Sequence, residues 1–171
     1  AIETQRKAFA LRPEASQIAA KLAKIYVLAG RPGDAIAEAR KLQKSQPDKA
    51  TGYALEGEVL AAQAKWAEAA AAFQTALSKQ PLPAIAVGTY VSLQRAGKAP
   101  EAAAMANKWM KDYPKDPTLS LVLAQQSQVR GNVADAKVGY RKVLELEPEN
   151  ATALNNLAWI LTEEGDAKGL E

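Results

Sequence analysis

Apolar residues recur along the chain at helical spacing, and the recurrence breaks off at regular intervals. The run 16–29 puts Ala19, Leu22, Ala23 and Tyr26 on one stripe, and beyond Gly30 a second stripe follows at Ala35, Ala39 and Leu42. Steps of three and four residues are those of a helix with one buried face. Gly30 admits the left-handed backbone that ends the first helix. Pro47 ends the second, because the residue before a proline is pushed out of the helical region and the ring cannot continue the ladder. The segment predicts two helices joined by a tight turn.

This pair returns along the whole chain. Pro13, Pro47, Pro81, Pro114 and Pro148 lie 34, 34, 33 and 34 residues apart. Twelve residues before each proline stands an alanine: Ala1, Ala35, Ala69, Ala102 and Ala136. Five residues before the alanine stand Gly30, Ala64, Gly97 and Gly131, and Gly165 continues the series. Neither helix can bury its stripe alone, so successive pairs must stack.

These residues resemble the tetratricopeptide repeat. The second period gives Tyr53-x2-Glu56-Gly57-x2-Leu60, then Ala69-x3-Phe73 and Pro81; the fourth gives Leu123-Ala124, Gly131, Ala136-x3-Tyr140 and Pro148. Leu154-x2-Leu157-Ala158-x2-Leu161 reads as a further first helix. The resemblance covers residues 1–171, with repeats at 16–49, 50–82, 83–116 (one residue short) and 117–150. Residues 1–15 read as the second helix of a truncated repeat and 151–171 as the first helix of another. It implies an all-α fold, a right-handed superhelix (an α-solenoid) of about ten antiparallel helices.

Departures from the pattern carry expectations of their own. Ala64 sits where glycine is usual, and at positive φ an alanine costs about 1 kcal/mol. Ala39 and Ala106 replace an aromatic of the second helix, while Leu42 and Trp109 fill the usual small site. Such an exchange of volume preserves packing if the neighbours adapt. The missing residue of the third repeat lies either in Pro81-Leu82-Pro83 or before Gly97, which leaves the facing of Val87, Tyr90 and Val91 open.

Composition narrows the chemistry. Apolar residues make up 48% of the chain and aromatics only 6%, and 37 of the 171 residues are alanine. With neither cysteine nor histidine, the chain has no thiol nucleophile, Ser-His-Asp triad, disulfide, or zinc site built on Cys or His. No phosphate-cradling glycine loop occurs. The carboxylates Glu145, Glu147 and Glu149, and Glu163, Glu164 and Asp166, fall at helix ends in polar sequence, and lack the spacing of a calcium loop. They read as solvated faces, and neither catalysis nor a cofactor is expected.

The net charge of +3 is graded. Residues 1–49 hold ten Lys/Arg against five Asp/Glu, whereas residues 117–171 hold five against eight. The basic stretch Arg40, Lys41 and Lys44 falls in the last turns of a helix, where cations offset the dipole. It lacks the interleaved aromatics of a nucleic-acid platform, so no nucleic-acid partner is expected. No apolar run is long enough to span a membrane.

What remains is a surface. In the tetratricopeptide repeat the first helix of each pair lines a concave groove that meets a protein or peptide ligand. By that resemblance the groove includes Gln17, Ala20, Lys24, Val27 and Leu28, then Thr51, Ala54, Glu58 and Ala61, then Gln94 and Arg95. It continues through Thr118, Leu121, Gln125, Gln128, Asn155, Trp159 and Thr162. Ala20, Ala54 and Leu121 stand where a carboxylate clamp would want polar groups, which disfavours chaperone-tail binding. Trp159 reads either as a groove anchor or as packing for a following helix, the second being the blander and preferred reading. Trp66 and Trp109 read as filler between helices.

Asn150-Ala-Thr-Ala-Leu-Asn155-Asn156-Leu-Ala-Trp159-Ile-Leu, followed by Gly165-Asp166, is similar to the PEP-CTERM system TPR-repeat lipoproteins, as are Gln94-Arg95-Ala-Gly97-Lys and Trp109-Met-Lys-Asp-Tyr-Pro114. Those proteins accompany exosortase sorting and exopolysaccharide loci in Gram-negative bacteria. The resemblance implies a non-enzymatic scaffold, periplasmic or envelope-associated, with a lipid anchor upstream of Ala1. The alternative is a structural protein that associates head to tail, its basic and acidic ends attracting. The uncovered stripe at Leu154, Leu157, Ile160 and Leu161 adds an expectation of self-association through an exposed end.

Overall fold

A computed structural model of the chain describes residues 25–165. Residues 25–28 are helical. Eight helices follow among the described residues: α1 (Pro32–Ser45), α2 (Thr51–Ala62), α3 (Trp66–Lys79), α4 (Pro83–Arg95), α5 (Ala99–Asp112), α6 (Thr118–Val129), α7 (Val133–Leu146) and α8 (Ala151–Glu163). The fold is an all-α solenoid of stacked helices. It divides into two compact units, 1–105 and 106–171, and the division falls inside α5.

The turns follow from backbone chemistry. Gly30, Gly97, Gly131 and Gly165 take φ between +70° and +78°, and Ala64 takes +56°, the one non-glycine at positive φ among the described residues. At the end of α2, the Lys65 amide donates to the Leu60 carbonyl at 2.9 Å and the Ala64 amide donates to Ala61 at 2.9 Å. The same two bonds close the turns at Gly97 and Gly131. This arrangement satisfies carbonyls that the last turn of a helix leaves open. Position matters here, and composition does not: Ala64 adopts the strained backbone because the turn demands it.

Packing within each unit depends on small residues. In the first unit α1 packs on α2, α2 on α3 and α3 on α4, and α2 also touches α4. Ala35, Ala69, Ala102 and Ala136, the alanines of the 34-residue frame, are all fully buried. Phe73 of α3 lies between two glycines. A Cβ on Gly57 of α2 would stand 2.9 Å from its ring, and a Cβ on Gly88 of α4 would also stand 2.9 Å from it. At Gly52 a Cβ would meet the Gln43 backbone nitrogen at 2.7 Å, so α1 and α2 also approach through a missing side chain. In the second unit α7 packs on both α6 and α8, and a Cβ on Gly139 would clash with Ala124 at 2.7 Å.

The exchange of volume is borne by buried positions. Phe73 and Tyr140 are paired with Ala76 and Val143 three residues on, whereas Ala39 and Ala106 are paired with Leu42 and Trp109; all eight are buried. Trp109 gains a polar partner as well, its indole N–H donating to Asp116 Oδ2 at 2.6 Å. Its ring also stands against Tyr113, centroids 4.2 Å apart.

The missing residue of the third repeat lies in the connection. α4 begins two residues after Pro81, whereas α2 and α6 begin four residues after Pro47 and Pro114. From its start to Gly97, α4 is no shorter than its counterparts. Pro83 opens the helix from an extended Leu82, a position where the fixed φ suits the first turn and no amide is needed. The register of α4 is therefore counted back from Gly97.

Two substitutions test these constraints. Ala64→Gly is expected to stabilise the chain by about 1 kcal/mol, raising the thermal midpoint by about 2–4 °C. Gly57→Ala is expected to destabilise by about 1–2 kcal/mol, although alanine is the better helix former, since the wedged Phe73 ring has no room to retreat. Adding Phe73→Leu to Gly57→Ala should recover part of that loss in urea denaturation.

Candidate functional site

The turn residue fixes a register on every first helix. Counted back 13, 10, 6 and 3 residues from it, the positions are Thr51, Ala54, Glu58 and Ala61 on α2, and Thr118, Leu121, Gln125 and Gln128 on α6. On α4 they are Ala84, Val87, Val91 and Gln94, and on α8 Thr152, Asn155, Trp159 and Thr162. Each helix packs its other faces into the unit's core, and every one of these positions is half-buried or exposed.

In the first unit, Gln17, Ala20 and Lys24 lie outside the described residues. Val27 packs against the Ala35–Leu42–Leu55 cluster, while Leu28 is 88% exposed. Ala54 and Ala61 rest against the Phe73 core, and Glu58 is exposed. The Gln94 amide donates to the Tyr90 hydroxyl at 3.2 Å. Arg95, one place off the register, lays its guanidinium 5.8 Å over the Trp66 ring, so both are held by each other. Val87 and Val91 join this face, half-buried, once the deletion is assigned to the connection. The proline-to-glycine count, with Pro83 as a helix opener, carried that signal in the sequence.

Glu56 faces the opposite way. It accepts from Arg40 Nε at 3.0 Å and from Gln43 Nε2 at 2.6 Å, clamping α1 to α2. Arg40 of the basic stretch is thereby engaged in structure, and Lys41 pairs with Glu38 at 2.6 Å. That hydrogen bond and the adjacent charge hold the Lys41 ammonium above its ordinary pKa.

In the second unit two register residues have structural partners. The Thr118 hydroxyl donates to Asp116 Oδ1 at 2.6 Å, and its amide donates to the same oxygen at 3.1 Å. Asp116 thus joins the start of α6 to the Trp109 indole, a role that sequence reading missed. Gln128 Oε1 accepts from the Tyr140 hydroxyl at 2.6 Å. The buried Tyr140 phenol thus ties α7 to α6. Burial raises its pKa above the ordinary 10.0, and the nearby Asn156 side chain opposes the shift. Leu121 packs on the core, Gln125 is half-buried, and Asn155 and Thr162 are exposed. Trp159 is 55% exposed. The carboxylates Glu145, Glu147 and Glu149 lie around the end of α7, where Glu147 and Glu149 are exposed and Glu147 accepts from Asn150 at 2.8 Å.

Two family models described as tetratricopeptide repeat match residues 54–117 and 140–168, together more than half of the chain. The chain is a tetratricopeptide-repeat protein. A thermophilic TPR protein of Thermus thermophilus shares the fold, with a TM-score of 0.69 at 18% identity over 88% of this chain and 84% of that one. Pseudomonas aeruginosa pilF superposes with a TM-score of 0.67 at 20% identity, over 92% of this chain and 73% of that one. In sequence, the probable biofilm formation methyltransferase WspC of Pseudomonas putida is 32% identical over 77 residues, 45% of this chain and 18% of WspC. The tetratricopeptide fold is generally a non-catalytic scaffold for protein or peptide partners, and so short a match to WspC establishes no catalysis. Among the described residues no helix is long and apolar enough to cross a membrane.

Tyr140 gives this tetratricopeptide unit a pH signature. A raised pKa means that its contribution is complete below the unfolded value near 10 and is lost as pH rises through the folded value. Tyr140→Phe is expected to cost about 1 kcal/mol at neutral pH. It should also flatten the fall in urea-derived stability as pH rises above about 10.

Proposed function

We propose that the chain is a docking scaffold in bacterial envelope protein sorting or exopolysaccharide assembly, periplasmic or envelope-associated, and that it holds partners on the register faces of its first helices. The observation that carries this reading is that none of those positions is fully buried on any first helix. The 34-residue frame buries its alanines and aromatics, yet leaves the register residues available on helix after helix. The scaffold class follows from the tetratricopeptide fold. The envelope setting rests on the resemblance of 150–166 and of the Gln94 and Trp109 segments to the PEP-CTERM system lipoproteins. WspC, whose name ties it to biofilm formation, agrees with such a setting.

A second reading has its own observation. Leu154 is 40% exposed, while Ala86 and Ser120 at the same place on α4 and α6 are buried. An apolar side chain uncovered at that place favours association between copies through this end.

Photo-cross-linking decides between them. A photoreactive residue placed at Thr51 or Glu58 in the bacterial host is expected to trap an envelope or exopolysaccharide-assembly protein. Trapping only of copies of the chain would favour self-association. No adduct at either position would defeat the scaffold reading of the first unit's face.

A further inference from the structure

The register face of the second unit differs in chemistry from that of the first. On the register itself α2 carries the exposed Glu58; one place off it, α4 ends in the Trp66-stacked Arg95 and α8 in the exposed Glu163. α6 and α8 carry no charge at any of their eight register positions, which include Leu121, Gln125, Asn155, Trp159 and Thr162. Tyr140 of α7, the helix that packs on both, donates its hydroxyl to Gln128 of α6, and Gln125 lies one turn before Gln128.

The array supplies its own control for Trp159. Its place on α2 is Glu58, exposed although α3 and α4 follow; its places on α4 and α6 are Val91 and Gln125, both half-buried. The helices that follow a first helix therefore leave this position at least partly open. Leu154 is the contrasting case, since its counterparts on α4 and α6 are buried. Trp159 thus stands at a place that following helices leave partly open, which favours the groove role over the packing role.

We propose that this face docks an uncharged, extended peptide segment of a partner protein, with an aromatic or proline side chain seated on the Trp159 indole. The proposal rests on the scaffold reading and names the ligand chemistry of one part of it. Gln125 and Asn155 each offer an amide donor beside an amide acceptor, the pair that a peptide bond presents. The indole gives a broad apolar contact with few torsions to freeze. A charged ligand group would lose its water here without gaining a partner of opposite sign. A neutral sugar polymer also stacks on indole, so it forms the opposing arm of the test.

The folded chain, Trp159→Ala, Asn155→Ala and the control Val138→Thr are applied to an array of random-sequence peptides, with cellohexaose titrated in parallel. Circular dichroism melts establish that each variant is folded. Bound sequences are expected to be rich in proline and aromatics and poor in Asp, Glu, Lys and Arg. Binding should fall about tenfold or more in Trp159→Ala, fall in Asn155→Ala and hold in Val138→Thr. It should change little as salt rises from about 50 to about 500 mM. Charged consensus sequences, strong salt dependence, indifference to Trp159→Ala, or binding of cellohexaose without peptides would each overturn the proposal. So would an array that binds nothing while cross-linking at Thr51 succeeds, an outcome that leaves the scaffold reading standing.

Discussion

Everything in this chain depends on how closely one helix can approach the next. The frame alanines Ala35, Ala69, Ala102 and Ala136 have no exposed surface, and the glycines at 52, 57, 88 and 139 stand where a Cβ would enter a neighbouring element. Close approach maximises dispersion contacts per residue and lets a chain that is only 6% aromatic build a dense interior. The cost is rigidity of sequence at those places. A methyl group added at Gly57 has nowhere to go, because the Phe73 ring already fills the space up to Gly88.

Close approach also decides where the larger side chains go. Phe73 and Tyr140 use the place that Ala39 and Ala106 leave small, and Leu42 and Trp109 make up the volume three residues later. Because these residues fill the interior, their polar atoms need partners there. Trp109 finds Asp116, and Tyr140 finds Gln128. Those bonds reach out to the first helices and engage side chains that otherwise point toward the open face. Gln128 and Thr118 are consequently poor places to look for ligand specificity, although they sit in register.

Periodicity made the frame legible. The alanine and turn positions could be counted in the sequence, and Ala64 could be assigned its left-handed backbone because every counterpart is glycine. Local partners were not legible. That Asp116 would serve both the Trp109 indole and the start of α6 depends on a side-chain direction no repeat spacing encodes. The facing of Val87 and Val91 hung on one missing residue, which spacing alone could assign to two places. The shortened connection at Pro81-Leu82-Pro83 resolved it, since a helix opened by proline keeps its full length back from Gly97.

The repeat separates positions that the fold needs from positions it leaves free. A residue whose counterparts are buried on other helices is explained by packing wherever it stands, and Leu154 is such a residue. A residue whose counterparts stay at least partly open under full cover owes less to packing, so its identity is open to other uses. Glu58, Val91, Gln125 and Trp159 share one such position and have little else in common: a carboxylate, an aliphatic group, an amide and an indole. The frame holds the backbone to one course while this position varies freely in charge and size. Differences of that kind between first helices let a single repeated shape present unlike chemistry to different segments of a ligand.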